Sequence, residues 1–215
     1  FWRKWMQIIS ACIFYSFLMD LSTLLKLKNL HERSEHGFNK AAGIEILGVI
    51  RKKYDIKFAS YYDAIKEVFL ESQHWQYADF HPSGTVLDLG CGVGDYMLLA
   101  LKHFNCDRVI GVDAFKEVCD VARNNLKINR IKPDKFKILN YALSDKSGTS
   151  AMSIRGVMAN LSDKGETKVK SITVDELVKK LHLNKVDFIK MDLEGSEYLA
   201  LNGAKKTLAK FKPKI

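Results

Sequence analysis

The sequence predicts an α/β fold: a mainly parallel sheet with helices on both faces, preceded by an N-terminal helical segment. From Gly84 onward, short apolar runs alternate with stretches of helical periodicity, the pattern of βαβ units and a parallel sheet. The first run, Thr85-Val-Leu-Asp-Leu-Gly-Cys-Gly-Val-Gly-Asp95, ends in three glycines at alternate positions. A buried parallel strand followed by a turn that approaches a ligand has this composition. A hydrophobic fraction of 47% suits a packed core and argues against disorder.

Residues 1–27 are apolar and aromatic-rich, with Trp2, Trp5, Ile9, Ile13, Leu21 and Leu24 able to share one broad helical face. The unbroken stretch from Met6 to Met19 is short for a membrane span. Three readings stay open: a helix packed on the domain, an interfacial anchor giving peripheral membrane contact, and the remnant of a signal or membrane segment. Residues 28–80 are mostly helical in pattern, with a short strand expected around Tyr54–Ala59 and a helix over 63–70. His74, Trp75, Tyr77 and His81 cluster before the core; packing and a pocket mouth are both open to them.

Strands are expected at 85–89, 108–112, 135–140 and 186–191. Helices between them carry Met97, Leu98, Leu101 and Phe104, and then Val118, Ala122 and Leu126. An irregular or hairpin region over 144–172 leads to Thr173-Val-Asp-Glu176, a capping box. Helical sequence after the fourth strand runs to Phe211, broken at Asn202-Gly203. Lys212-Pro-Lys-Ile215 resembles the start of a further strand, so further core strands are expected beyond it. The expected division is an N-terminal segment, 1–80, serving as a cap or membrane-proximal element, and a core, 81–215.

The glycine spacing narrows the ligand. Dinucleotide sites use Gly-x-Gly-x-x-Gly, whereas this loop is Gly90-x-Gly92-x-Gly94 with Asp88 two residues before it. That form resembles motif I of S-adenosylmethionine (SAM)-dependent methyltransferases. In a doubly wound sheet, ligands bind beyond the C-terminal strand ends. The second strand is followed by Asp113, 19 residues after Gly94, near the separation at which a carboxylate accepts from ribose hydroxyls; an aspartate there also caps helices. After the third strand, Asn140 is placed to bond an adenine edge, with Ala142 and Leu143 against the ring; a turn at Ser144-Asp145 explains the polar residues equally well. The fourth ends at Asp192-Leu-Glu194-Gly, two carboxylates expected beside the sulfonium and the acceptor. Cys91, inside the loop, reads as a small packing residue.

Val186-Asp-Phe-Ile-Lys-Met-Asp-Leu-Glu-Gly-Ser-Glu197, followed by Leu201-Asn-Gly-Ala204, resembles the signature of the FkbM-type methyltransferases. Asn140-Tyr-Ala-Leu-Ser-Asp145 and the Thr173–Leu177 lead-in are similar to the same family, and the likeness covers roughly residues 77–212. The resemblance implies a Rossmann-like class I fold and SAM-dependent O-methylation of sugar or natural-product hydroxyls. Asp88, Gly90, Cys91, Gly92, Gly94, Asp113, Asn140 and Ala142 are then the expected cofactor residues. Asp192 or Glu194 is the expected base for a hydroxyl acceptor; alternatively Asp192 contacts the cofactor and Glu194 holds the loop. Glu197 reads as structural.

A net charge of +9 and a pI near 9.3 favour an anionic partner, though the lysines are scattered. Amino-group methyltransferases of nucleic acids commonly carry Asn/Asp-Pro-Pro-aromatic after the fourth strand. None of the three prolines is there, which leaves RNA ribose methylation and non-catalytic SAM binding as rivals to a small-molecule or glycan acceptor. Four cysteines show no paired or metal-type spacing. They are expected to be reduced thiols in a cytoplasmic protein, with membrane association left open and no metal expected; the oligomeric state is left open.

Overall fold

The structure, a computed structural model, describes residues 40–60, 63–69, 80–155, 158–161 and 167–215. The readings made for residues 1–27, and for His74, Trp75 and Tyr77, lie outside the described residues. The chain divides into two compact units, Phe1–Asp79 and Phe80–Ile215.

In the first unit, helix α1 spans Lys40–Tyr54 and helix α2 spans Asp63–Phe69. Ile46 and Ile50, one turn apart, are both fully buried. Arg51, Lys52 and Lys53 occupy the last turn of α1, where cations complement the helix dipole. The rings of Tyr54 and Phe58 meet Phe69 edge-on, at 5.1 and 5.8 Å between centroids. The strand expected at Tyr54–Ala59 does not form. Tyr54 still belongs to α1, Asp55 turns left-handed at φ 52°, and residues 55–58 are irregular. The apolar alternation there comes from Ile56 being buried from a loop, with no strand paired to it among the described residues.

The second unit contains the parallel sheet. Its strands are β1 (Thr85–Leu89), β2 (Arg108–Asp113), β3 (Phe136–Asn140) and β8 (Phe188–Met191), in the order β3-β2-β1-β8. All three pairings are parallel. Helix α3 (Asp95–Lys102) follows β1, and helix α4 (Lys116–Ile128) follows β2. Helices α5 (Val174–Lys180), α6 (Glu197–Asn202) and α7 (Lys205–Phe211) complete the unit. Helices cover both faces. Leu87, Leu89, Ile110, Val112 and Ile189 share one core cluster with Val174, Leu177 and Val178 of α5 and Ala200 of α6. On the opposite face, the hydrogen of Gly111 points at Met97 of α3, where a Cβ would come within 2.5 Å of Sδ.

The region between β3 and α5 is more regular than the sequence indicates. Strands β4 (Ala142–Leu143), β5 (Gly148–Arg155), β6 (Met158–Leu161) and β7 (Thr167–Ile172) form a second sheet, β4-β7-β5-β6. β5 runs antiparallel to both β6 and β7. The Thr173 cap forms in one direction: its Oγ1 accepts from Glu176 N at 3.0 Å, while Thr173 N donates to Ser147 Oγ at 3.1 Å. The break at Asn202-Gly203 separates α6 from α7 as expected. Asp175 then caps α7 from α5, accepting from Lys206 N, Thr207 N and Thr207 Oγ1 at 2.7–3.0 Å. Near the C-terminus, Lys214 makes a parallel bridge to Phe188. No helix among the described residues is long and apolar enough to cross a membrane.

Candidate cofactor site

The ends of β1, β2 and β8 converge on the glycine loop. Gly90 N and Cys91 N both donate to Val112 O, at 2.9 and 3.1 Å, so the loop folds across the end of β2. Gly90 has φ 82° and could not accept a side chain, because a Cβ would strike the carbonyl oxygen of Asp192. Gly92 also has positive φ (49°), but a Cβ there would meet nothing within 4 Å. The loop edge is therefore tight towards β8 and open at Gly92. Gly94, left-handed at φ 80°, caps α3 and packs on Ala122 and Leu126 of α4. Fully buried Asn125 holds the same loop, its Nδ2 donating to Val93 O at 2.9 Å.

Asp113 is fixed by backbone. Its Oδ2 accepts from Gly92 N at 3.1 Å and its Oδ1 from Phe115 N at 3.0 Å. Burial raises its carboxyl above the ordinary range, while these N–H groups act in the opposite direction. The Ala114 N–H acts on the same carboxylate, and of its roughly four acceptor sites part stays available. Asn140 sits beside it, but its Nδ2 donates to the carbonyls of Asp113 and Ala114 at 3.1 and 2.7 Å. The amide thus holds the loop that carries Asp113. Ala142 is 4% exposed and Leu143 belongs to the core cluster, so Leu143 serves packing. Cys91 is buried, and burial, followed by the charges of Asp88 and Asp113, pushes its thiol well up. Such a thiol packs rather than reacts.

Beneath the loop lies a charge cluster that sequence reasoning missed in part. Asp88 and Lys190 are register partners on β1 and β8, and Asp88 also pairs in register with Gly111. Asp88 is wholly buried, and neither carboxylate oxygen has a hydrogen-bond partner among the described residues. Lys190 Nζ lies 3.5 Å from Asp88 Oδ1, 3.5 Å from Asp192 Oδ2 and 3.0 Å from Gly90 O. Asp95, at the start of α3, accepts from Tyr96 N at 2.8 Å. Burial raises the carboxyls of Asp88, to about 7, and of Asp95. For Lys190, burial alone would lower the ammonium, but the charges of Asp88, Asp192 and Asp95 raise it on balance. The available signal was a single charge inside each of two buried strands, Leu-Asp-Leu and Ile-Lys-Met.

Asp192 and Glu194 part company. Asp192 is anchored by its N–H to Leu89 O at 2.9 Å, and its side chain remains 43% exposed. Glu194 is exposed in a left-handed turn at φ 52°. Glu197 holds this turn, its Oε1 accepting from Leu193 N at 2.7 Å. His81 is exposed and stacks on Phe104 at 4.9 Å, which fits a packing role.

Comparison with known proteins gives the family of the chain. The chain of the FkbM methyltransferase from Methylobacillus flagellatus KT aligns with 15% identity and a TM-score of 0.49, over 89% of this chain and 47% of that one. The human methyltransferase 10 domain containing protein aligns with 11% identity and a TM-score of 0.45, over 79% and 68% of the two chains. The N-terminal domain of human METTL16, solved with S-adenosylhomocysteine (SAH), gives 15%, 0.36, 78% and 71%. This chain spans about half the length of the Methylobacillus protein. No protein of curated function matches the sequence significantly. The family model of the methyltransferase FkbM domain matches residues 88–215, from the buried aspartate before the glycine loop to the last residue and over more than half of the chain, and the protein belongs to the FkbM methyltransferase family.

Proposed function

We propose that the protein binds SAM on the glycine loop and Asp113, and transfers its methyl group to a hydroxyl of a sugar, a lipid-linked glycan or a small natural product. The carrying observation is the Gly92–Asp113 pair. Backbone fixes the carboxylate beside a loop whose edge is open at Gly92, and the carboxylate keeps acceptor capacity for a ribose hydroxyl. The residues therefore fit the cofactor. Gly92 leaves the loop edge open to it, Gly90 and Gly94 hold the left-handed loop against β8 and α4, and Cys91 fills space behind the loop. Asp88 supports the loop from beneath, and Asn140 and Ala142 border the site next to Asp113.

SAM, when bound, supplies a methyl group activated by a sulfonium. The chain contributes alignment, worth on the order of 7–11 kcal/mol in ideal cases. It also contributes a proton acceptor for the hydroxyl. Asp192 suits that role better than Glu194. Its backbone is tied to β1 and its carboxylate is still half-exposed at the strand end, whereas Glu194 projects from a turn held by another residue.

Titration calorimetry with SAH tests cofactor binding. Wild type is expected to bind, and Asp113→Ala to weaken binding tenfold or more, because the ribose hydroxyls lose their acceptor. Undiminished binding by the variant removes Asp113 from the site. A labelled methyl-transfer survey of glycans, lipids and RNA addresses the acceptor. The net charge of +9 supports RNA ribose as the second reading, and incorporation into RNA alone would make it the first.

A further inference from the structure

We propose that Lys190 is a positioning residue that joins the cofactor side of the site to the acceptor side. Its ammonium donates to the carbonyl of Gly90, at the start of the glycine loop, at 3.0 Å and lies 3.5 Å from the carboxylate of Asp192. These two groups belong to segments about 100 residues apart in sequence. Their backbones already touch, since Asp192 N donates to Leu89 O and a side chain at Gly90 would strike Asp192 O. The inference rests on the cofactor reading above and assigns a task to a residue that reading does not use.

The position is costly for a lysine, which supports a task beyond filling space. The side chain is 9% exposed and lies between Asp88, wholly buried, and Asp192. Asp95 and Cys91 also face the ammonium, and the ring of Tyr96 lies 6.0 Å away. A buried ion pair is seldom a net gain over apolar packing of the same shape. Two apolar residues at 88 and 190 would fill the core, but they could neither donate to Gly90 O nor attract the Asp192 carboxylate, as the ammonium does. The lysine length also matters, because Nζ reaches past the β1–β8 register to the loop carbonyl.

The alternative is that Lys190 only neutralises Asp88. Replacing Lys190 in two backgrounds separates these roles. In the full chain, Lys190→Met is compared with wild type, and Asp88→Asn/Lys190→Met with Asp88→Asn alone. The second pair leaves no uncompensated buried carboxylate at 88, so it remains readable if the single variant fails to fold. SAH affinity is expected to fall tenfold or more on loss of Lys190 in both backgrounds, while the thermal midpoint recovers in the double variant. The charge gives a second readout. SAM carries a positive sulfur and SAH does not, so loss of the ammonium beside Asp192 should raise the SAM-to-SAH affinity ratio. If SAH affinity recovers with the midpoint, Lys190 is a charge balance and not a positioning residue; an unchanged ratio would put the ammonium out of reach of the sulfonium and remove its place between cofactor and acceptor. Failure of wild type itself to bind SAH would instead remove the cofactor reading and this proposal together.

Discussion

Asp88→Asn should flatten the dependence of stability on pH. The Asp88 carboxyl moves from an ordinary 3.8 to about 7 in the folded chain, mainly by burial, with the Lys190 ammonium acting against the rise and Asp95 and Asp192 adding to it. Between these two values the folded protein keeps the proton while the unfolded chain has lost it. Stability therefore falls as pH rises through that window, by about 1.4 kcal/mol per pH unit and about 4 kcal/mol in all. Below pH 3.8 both states are protonated, and above about 7 both are ionised, so the contribution is level outside the window. Asparagine does not titrate, and the contribution disappears.

Urea unfolding of wild type and variant at a series of pH values from 4.5 to 8 measures this directly. The expected result is a difference in unfolding free energy that shifts against wild type as pH rises, with equal denaturant slopes. The absolute offset, which includes how the amide meets Lys190, does not enter. Asp95 and Asp113 are also raised by burial, but they are present in both proteins and cancel. Parallel curves would refute the burial argument. A difference that shifts towards wild type as pH rises would mean that the Lys190 attraction outweighs desolvation.

Gly90→Ala combines a left-handed backbone, costing about 1–2 kcal/mol for an L side chain, with a collision against the Asp192 carbonyl. A thermal midpoint lowered by at least about 2–8 °C and loss of SAH binding are expected; an unchanged midpoint would contradict the loop geometry. Asn125→Ala removes the donor to Val93 O in a fully buried place, so chemical unfolding should show a loss of about 1–3 kcal/mol. SAH affinity should fall with it, because Val93 lies between Gly92 and Gly94.

The parts of this molecule that were legible in the sequence are those governed by local chemistry. Three alternate glycines announce a left-handed loop because few other residues tolerate it, and two of them do meet backbone or helix at close range. Thr173 announces a helix start because its hydroxyl can reach an N–H three residues on, and it does so. Tyr54–Ala59 misled for the complementary reason: apolar alternation records which side chains are buried, and Ile56 is buried from a loop with no strand beside it among the described residues. The second sheet was reduced to a hairpin region because β4 has two residues and depends on β7 for its pairing.

The charge cluster shows where a one-dimensional reading stops. Asp88 was recognised by its distance from the glycines, and Asp192 by its place after an apolar strand. Lys190 lies between two apolar residues and carries no motif logic of its own. Its meaning depends on a register, Asp88 opposite Lys190, that is set by packing of whole strands. That register places both side chains on the face occupied by α3, where Asp95 begins the helix. The same alternation sends Leu87, Leu89 and Ile189 to the opposite core. A shift of one residue between β1 and β8 would turn Lys190 into the apolar cluster and leave Asp88 unopposed. The ion pair and the core pattern therefore select the same pairing, and this agreement is what brings Asp192 to the glycine loop.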